Sequence, residues 1–254
     1  KIEFYCTVQY LCHTQLSKVK SYAERKNVFL KGDIPILVSS DSADVWAYKE
    51  FFNLNLTLGS PPNKFDSKGQ IWNLPLYNWN TLEKDHFNWW KKRIQHAERY
   101  FHIFRIDHIL GFFRAWAIPQ NLTPKEGYFI PCDESLMEAQ GRLLLKELIS
   151  FSDMLPIGEN LGDPPDFVGK IMKEYGIAGT HIFYRYRNWE KNGAFIPVEN
   201  YPPESLSCVS THDIETVNIW WRKFPDDAKN YAAFKKWIYS PSLTFEQNYS
   251  ILHD

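Results

Sequence analysis

The chain has 254 residues, 44% of them hydrophobic, so it is long enough to bury a sizeable core in one large α/β domain or two small ones. Lysine and arginine number 29 and aspartate and glutamate 30, a net charge of -1 that gives no reason to expect a nucleic acid or an anionic membrane as partner. No apolar run approaches the roughly 20 residues of a membrane-spanning helix, and the first residues lack the basic-then-apolar pattern of a signal peptide.

Hydrophobic periodicity predicts helices that alternate with short apolar strands. The predicted helices cover residues 9–26, 82–100, 134–151, 165–175 and 215–224. The predicted strands are VFLKGDIPIL, the stretch around Arg105 and Asp107, LPIGENLG, GTHIFYR and LSCVSTHD. This alternation is typical of a parallel sheet with crossover helices.

The predicted strands end in carboxylates or their neighbours, as in a (β/α) barrel, where catalytic groups collect at the C-terminal rim. A doubly wound sheet also binds ligands at strand C-termini, but the sequence has no G-x-G-x-x-G and no phosphate-binding loop. About five strands are predicted, whereas a closed barrel has about eight. We therefore expect a partial (β/α)8 TIM barrel, with residues 1–254 forming one catalytic domain that is incomplete at both ends.

The stretch FRIDHILGFFRAW, residues 104–116, places charges at the end of an apolar strand. Alternation puts Arg105 and Asp107 on one face and Phe104 and Ile106 on the other. One interpretation is a buried Arg–Asp ion pair that stabilises the core. The other is that the strand lines a cleft.

Three acids follow different predicted strands, namely Asp107, Glu159 and Asp213. Two carboxylates on either side of a glycosidic bond are the groups of glycoside chemistry. Glu159 lies among small and apolar residues, which disfavour a charged side chain, and Asp107 beside Arg105 should stay ionised. Alternatively, Glu159 is a charged loop residue and Asp213 caps the next helix.

A metal site is a weaker alternative. The histidines near strand ends are His102, His108, His181 and His212, and none has a ligand spacing such as H-E-x-x-H. We expect no metal.

The cysteines and aromatic residues bear on compartment and ligand. Cys6, Cys12, Cys132 and Cys208 show no paired spacing, which predicts free thiols in a reducing compartment, the cytoplasm. Aromatic residues make up 17% of the chain, and several lie among glycine, proline and asparagine. Exposed rings on loops suit a sugar ring with its apolar face. The segment 59–79, GSPPNKFDSKGQIWNLPLYNW, shows no helix or strand period and is predicted to be a long, ordered binding loop.

Five blocks, in order, resemble glycoside hydrolase family 77, the 4-α-glucanotransferases (amylomaltases or disproportionating enzymes). RIDHILGFFRAW, IGENLG and STHD resemble the three catalytic-carboxylate motifs of that family. GDIPILVSSDSADVW at 32–46 and the segment 59–79 resemble two more. The resemblance covers essentially the whole chain and is closest to the branch that includes plant cytosolic disproportionating enzymes.

The resemblance implies a hexosyl transferase that acts on α-1,4-glucan donors and acceptors without a cofactor. It implies that Asp107 is the nucleophile, that Glu159 is the general acid and base, and that Asp213 binds sugar hydroxyls. The other substrate-site residues that it implies are Arg105, which orients Asp107, His212, Asp33, His108, and Gln70 and Trp72 of the long loop.

The sequence departs from the family in two places. Gly69-Gln70-Ile71-Trp72-Asn73 stands where many members have G-Q-N-W-G, and Ile214 stands where many have asparagine. These changes affect acceptor preference. Comparison with the family also places the first two barrel strands and the last outside this chain, so we expect the chain alone to fold poorly or to be weakly active. The alternatives are an α-glucan hydrolase of amylase type and a non-catalytic glucan-binding fragment, and the oligomeric state is not predicted.

Overall fold

The computed structural model describes residues 1–63, 66–162, 164–188 and 193–250, with side chains up to residue 248. The chain divides into two compact units, Lys1–Ala178 and Gly179–Asp254. In the described part of the chain, no helix has the length and apolar character needed to cross a membrane.

The first unit contains helices and strands in alternation. Its helices are α1 (Ile2–Arg25), α2 (Ala43–Ala47), α3 (Trp79–Lys84), α4 (Asn88–Glu98), α5 (Glu134–Ser150) and α6 (Asp166–Glu174). Its strands are β1 (Lys31–Ile34), β2 (Phe52–Ser60), β3 (Gln70–Tyr77), β4 (Ile103–Ile106), β5 (Ala115–Pro119), β6 (Tyr128–Ile130) and β7 (Leu155–Gly158).

Strands β1, β4 and β7 are parallel neighbours, as predicted. Asp33 lies opposite Arg105 in the β1–β4 pair, and Arg105 lies opposite Ile157 in the β4–β7 pair. Phe104 and Ile106 are each 1% exposed and belong to the core. Because the three strands run in one direction and in register, their last residues bring side chains to the same edge of the sheet.

The helices that lead into β4 and β7 follow their apolar periodicity. In α5 the Asp133 side chain caps the N-terminus by accepting from the backbone N–H groups of Ser135 and Leu136. Leu144 and Leu148 of the same helix are buried in the core. The capped, amphipathic helix thus packs on the core and precedes β7 in the chain.

The prediction of one long loop over 59–79 was wrong where strands occupy the segment, and its role in binding stays a prediction. Residues 59–60 end β2 and residues 70–77 form β3, in an antiparallel sheet with the order β3-β2-β5-β6. The alternation of β3 was hidden by Pro75 and by Asn73, whose φ is 58°, and the β2–β3 register shifts twice. Residues 64 and 65, which lie between β2 and β3 in the sequence, are outside the described residues.

The second unit carries the remaining predicted strands. Strand β8 (Ala178–Ile182) starts at the boundary and pairs in parallel with β11 (Ser205–Cys208). The other elements are β9 (Arg187–Asn188), β10 (Ala194–Phe195), α7 (Val217–Lys223), α8 (Pro225–Lys235) and α9 (Phe245–Ser250). The N-cap of α7 is Thr216, so the alternative that Asp213 caps this helix was wrong.

Candidate active site

Arg105 is the centre of the candidate site. It lies near the end of β4 and is only 5% exposed. Its Nη1 donates to both oxygens of Asp33, at 2.7 and 2.8 Å, and lies 3.0 Å from Asp107 Oδ1. Its Nη2 donates to Glu159 Oε2 at 3.1 Å. One guanidinium therefore contacts three carboxylates, which come from the ends of three parallel strands.

The environment of Arg105 keeps it charged. Burial works against the charge, but the hydrogen bonds that Arg105 donates to Asp33 and the negative charges of Glu159, Asp33 and Asp107 outweigh burial and raise the pKa of Arg105. The ion pair considered from the sequence is present, and its carboxylates are accessible to different degrees. The side chains of Asp33, Asp107 and Glu159 are 40%, 27% and 16% exposed.

Asp107 is held on both of its carboxylate oxygens. Oδ1 contacts Arg105, and Oδ2 accepts from the backbone N–H of Ile36 at 3.1 Å. The backbone N–H of Asp107 donates to the carbonyl of Ile34 at 3.2 Å, so the strand pairing of β1 and β4 continues to this residue. The carboxylate is thus oriented by Arg105 of β4 and by a backbone N–H of the segment that follows β1.

Glu159 follows β7 directly and is fixed by the turn after β4. Its Oε2 accepts from the backbone N–H of His108 at 2.9 Å in addition to Arg105. Asp107 and Glu159 therefore contact the two terminal nitrogens of the same guanidinium and belong to one cluster.

His108 and the hairpin β2–β3 complete the first unit's share of the predicted site. Burial lowers the pKa of the His108 imidazole to about 4, although the Asp107 carboxylate works in the opposite direction. The Trp72 ring meets the His108 ring edge to face, with centroids 4.9 Å apart. The Trp72 indole N–H donates to Gln70 Oε1 at 2.9 Å. His108 thus contacts the hairpin through its ring and the carboxylate cluster through its backbone N–H.

His212 and Asp213 lie in the second unit, after β11. Their side chains are 68% and 56% exposed, with His212 Nε2 at 3.3 Å from Asp213 Oδ2. The backbone N–H of Asp213 donates to the Thr211 hydroxyl at 3.3 Å. The two residues form a polar, accessible pair.

The side chains that the structure describes include no group of three or more histidine, cysteine, aspartate or glutamate residues placed to hold a metal ion. The four cysteines, all within the described ranges, form no disulfide.

Sequence reasoning missed two kinds of contact in this site. It paired Arg105 with Asp107 because they alternate on one strand, but Arg105 also contacts Asp33 and Glu159 across strands. It also missed the backbone donors of Ile36 and His108. The cross-strand contacts follow from the parallel register, whereas no sequence pattern signals a backbone donor.

The chain has parallel strands joined by helices, with carboxylates at the C-terminal ends of the strands. This arrangement is typical of (β/α)-barrel proteins, and a solved structure with a similar fold agrees with this class. The amylomaltase of Streptococcus agalactiae, solved in complex with acarbose, superposes with a TM-score of 0.76 at 28% identity, over 93% of this chain and 48% of that one. The chain has the α/β fold of such amylomaltases and forms part of a (β/α)8 barrel, as predicted.

The family model described as 4-alpha-glucanotransferase matches residues 1–250, and the chain belongs to this family. The 4-alpha-glucanotransferase of Chlamydia muridarum is 42% identical over 99% of this chain and 47% of its own length. That of Chlamydia caviae is 43% identical over 98% of this chain and 46% of its own length. The chain thus spans about half the length of the relatives that it matches.

Proposed function

We propose that the protein is a 4-α-glucanotransferase that moves α-1,4-glucan segments between maltodextrins. The observation that carries the proposal is the contact of one guanidinium, Arg105, with both Asp107 and Glu159. In the family to which the chain belongs, these positions match the motifs of the nucleophile and of the acid and base. The whole chain is proposed to belong to one catalytic barrel domain. The protein is proposed to act in the cytoplasm, as the cysteine pattern predicts.

The proposed reaction is a double displacement with retention. Asp107 attacks the anomeric carbon, the bond to the leaving glucan breaks, and Glu159 gives its proton to the leaving oxygen. The 4-hydroxyl of an acceptor glucan then attacks the same carbon, returns its proton to Glu159 and releases Asp107. Retention requires the two carboxyl groups to lie about 5–5.5 Å apart.

The charge of the cluster supports a proton on one of its acids. One guanidinium and three ionised carboxylates would carry a net charge of two negative units, and like charges at one site favour the uptake of a proton. Glu159 is the least exposed of the three at 16%, and burial also disfavours the charged form. We therefore propose that Glu159 carries the proton that the leaving oxygen receives, and that Asp107 is the attacking carboxylate.

Transfer instead of hydrolysis requires an acceptor site that holds a sugar and excludes water. Trp72 and Gln70 are proposed to line this site, because their hairpin contacts His108 next to the nucleophile. His108 is proposed to contact substrate through its neutral imidazole. Asp33 supports the site through Arg105, and His212 and Asp213 are proposed to bind sugar hydroxyls.

Incubation of the complete gene product with pure maltotriose, followed by chromatography, tests this function. We expect glucose and a ladder of longer maltodextrins from the wild type. In Asp107→Asn the rate should fall by at least about 10³-fold, since the nucleophile is lost while the fold is kept.

Two other outcomes would contradict the proposal. Glucose and maltose without longer chains would indicate a hydrolase. Retention of α-glucan by the wild type and by Asp107→Asn alike, without any turnover, would indicate a binding module, because binding alone has no need of the nucleophile.

A further inference from the structure

The turn after β4 encloses Glu159 with three hydrogen bonds. The backbone N–H of Glu159 donates to the carbonyl of Ile106 at 2.9 Å. The N–H of His108 donates to Glu159 Oε2 at 2.9 Å, and the N–H of Ile109 donates to the Glu159 carbonyl at 3.1 Å. Residues 106–109 therefore fix both the backbone and the carboxylate of the proposed acid and base.

The backbone of His108 explains how two successive N–H groups reach one residue. His108 is left-handed, with φ 40° and ψ 57°, and the 3-10 turn Ile109–Phe112 follows it. A left-handed residue next to a right-handed one turns successive N–H groups to the same side and creates a concavity for a negatively polarised atom. Here that concavity is occupied by residue 159.

The turn has little room to adopt another conformation. Ile109 is completely buried. A Cβ on Gly158 would lie 2.7 Å from Ile109 Cδ1, and a Cβ on Gly111 would lie 2.9 Å from Ile36 Cγ1. The residues next to His108 are tightly packed and have little room to move. A change in the backbone conformation of His108 would therefore redirect the two N–H groups that it orients.

We propose that His108 is a positioning residue for Glu159, acting through its left-handed backbone, which aims the His108 amide at the Glu159 carboxylate. This role is separate from any contact of the imidazole with substrate. It rests on the proposed function insofar as Glu159 is the acid and base.

The test compares substitutions that differ in backbone preference. His108→Gly, His108→Asn and His108→Thr all remove the imidazole, so each loses whatever the ring contributes. Glycine and asparagine accept a left-handed conformation, whereas β-branched threonine does not. The first readout is the protonation midpoint of the Glu159 carboxyl, followed by NMR in protein labelled with ¹³C at glutamate and assigned with Glu159→Gln.

The expected midpoint in His108→Thr lies roughly one pH unit above that in His108→Gly and His108→Asn, because a donor to the anionic oxygen is lost. The charged and titratable groups around Glu159 are otherwise the same in the three variants, namely Arg105 from β4, Asp107 beside it, and Asp33 from β1 through Arg105. The second readout is kcat on maltotriose, which should be at least about ten-fold lower in His108→Thr than in His108→Gly. In a plot of kcat against pH, the decrease at high pH should occur at a higher pH in His108→Thr than in His108→Gly.

Equal midpoints in His108→Gly and His108→Thr would overturn the proposal and assign the role of His108 to its ring. Thermal melts establish that the variants are folded, and His108→Ala replaces His108→Thr if the latter does not fold. A wild type that titrates as expected but transfers no glucan would contradict the proposed function and leave the positioning role intact.

Discussion

At the scale of single residues, Arg105 provides the positive charge that balances the carboxylates of the site. It is buried and is held by three carboxylates of decreasing exposure, from Asp33 at 40% to Glu159 at 16%. Without this cation, the three acids would face each other in a partly desolvated space, and their repulsion would favour opening of the parallel strand ends or uptake of protons.

Arg105→Met should therefore lower the free energy of unfolding by about 2–3 kcal/mol, somewhat less than for a fully buried pair because Asp33 and Asp107 are partly solvated. Urea unfolding at pH 7 measures this. The matched control is the double variant Arg105→Met with Asp33→Asn, which removes one negative charge and should recover part of the loss. A double variant that is less stable than the single one would show that charge repulsion is not the cause.

At the scale of elements, the hairpin β2–β3 brings Trp72 to His108, and the close contact of its strands depends on Gly59. A Cβ on Gly59 would lie 2.0 Å from the Gln70 carbonyl oxygen and 2.6 Å from Ile118 Cδ1. A backbone atom cannot move aside as a flexible side chain does, so the pairing itself would shift.

Gly59→Ala should reduce the free energy of unfolding by about 2–3 kcal/mol and raise KM for the acceptor, since Trp72 is displaced. Gly169→Ala is the control, because a Cβ at that position in α6 would meet no atom within 4 Å apart from its chain neighbours and the backbone of its own helix. There alanine should be neutral or stabilising by about 0.5–1 kcal/mol. If both variants are equally stable, the close approach at Gly59 is not important for the hairpin.

The elements also show why some of the fold was readable from sequence. The parallel strands β1, β4 and β7 are short apolar runs between amphipathic helices, so their period and flanks were visible. The hairpin could not be predicted in this way, because Pro75 and the positive φ of Asn73 interrupt the alternation that identifies a strand. Helix α1 begins at Ile2 instead of the predicted residue 9, since its first turns carry exposed apolar residues outside the recognised periodicity.

At the scale of the whole molecule, the candidate acids are divided between two units. Asp107 and Glu159 lie in Lys1–Ala178, and Asp213 lies in Gly179–Asp254. Sequence motifs predict all three as candidates, because acids at the ends of strands are local features. The contacts that orient them, such as Ile36 N–H to Asp107 and His108 N–H to Glu159, join residues that are 71 and 51 positions apart, and only the folded chain brings these together.

Asp107 of the Arg105 cluster is proposed to attack the sugar. Trapping of the covalent glycosyl-enzyme tests this proposal most directly, with α-maltosyl fluoride as a donor that needs little acid assistance and Glu159→Gln to slow the second step. Asp107 displaces fluoride and forms an ester, so mass spectrometry of the quenched and digested protein should find one maltosyl unit on the peptide that contains Asp107. A maltosyl adduct on another carboxylate, or fluoride release without any adduct from an otherwise transfer-active protein, would contradict this account.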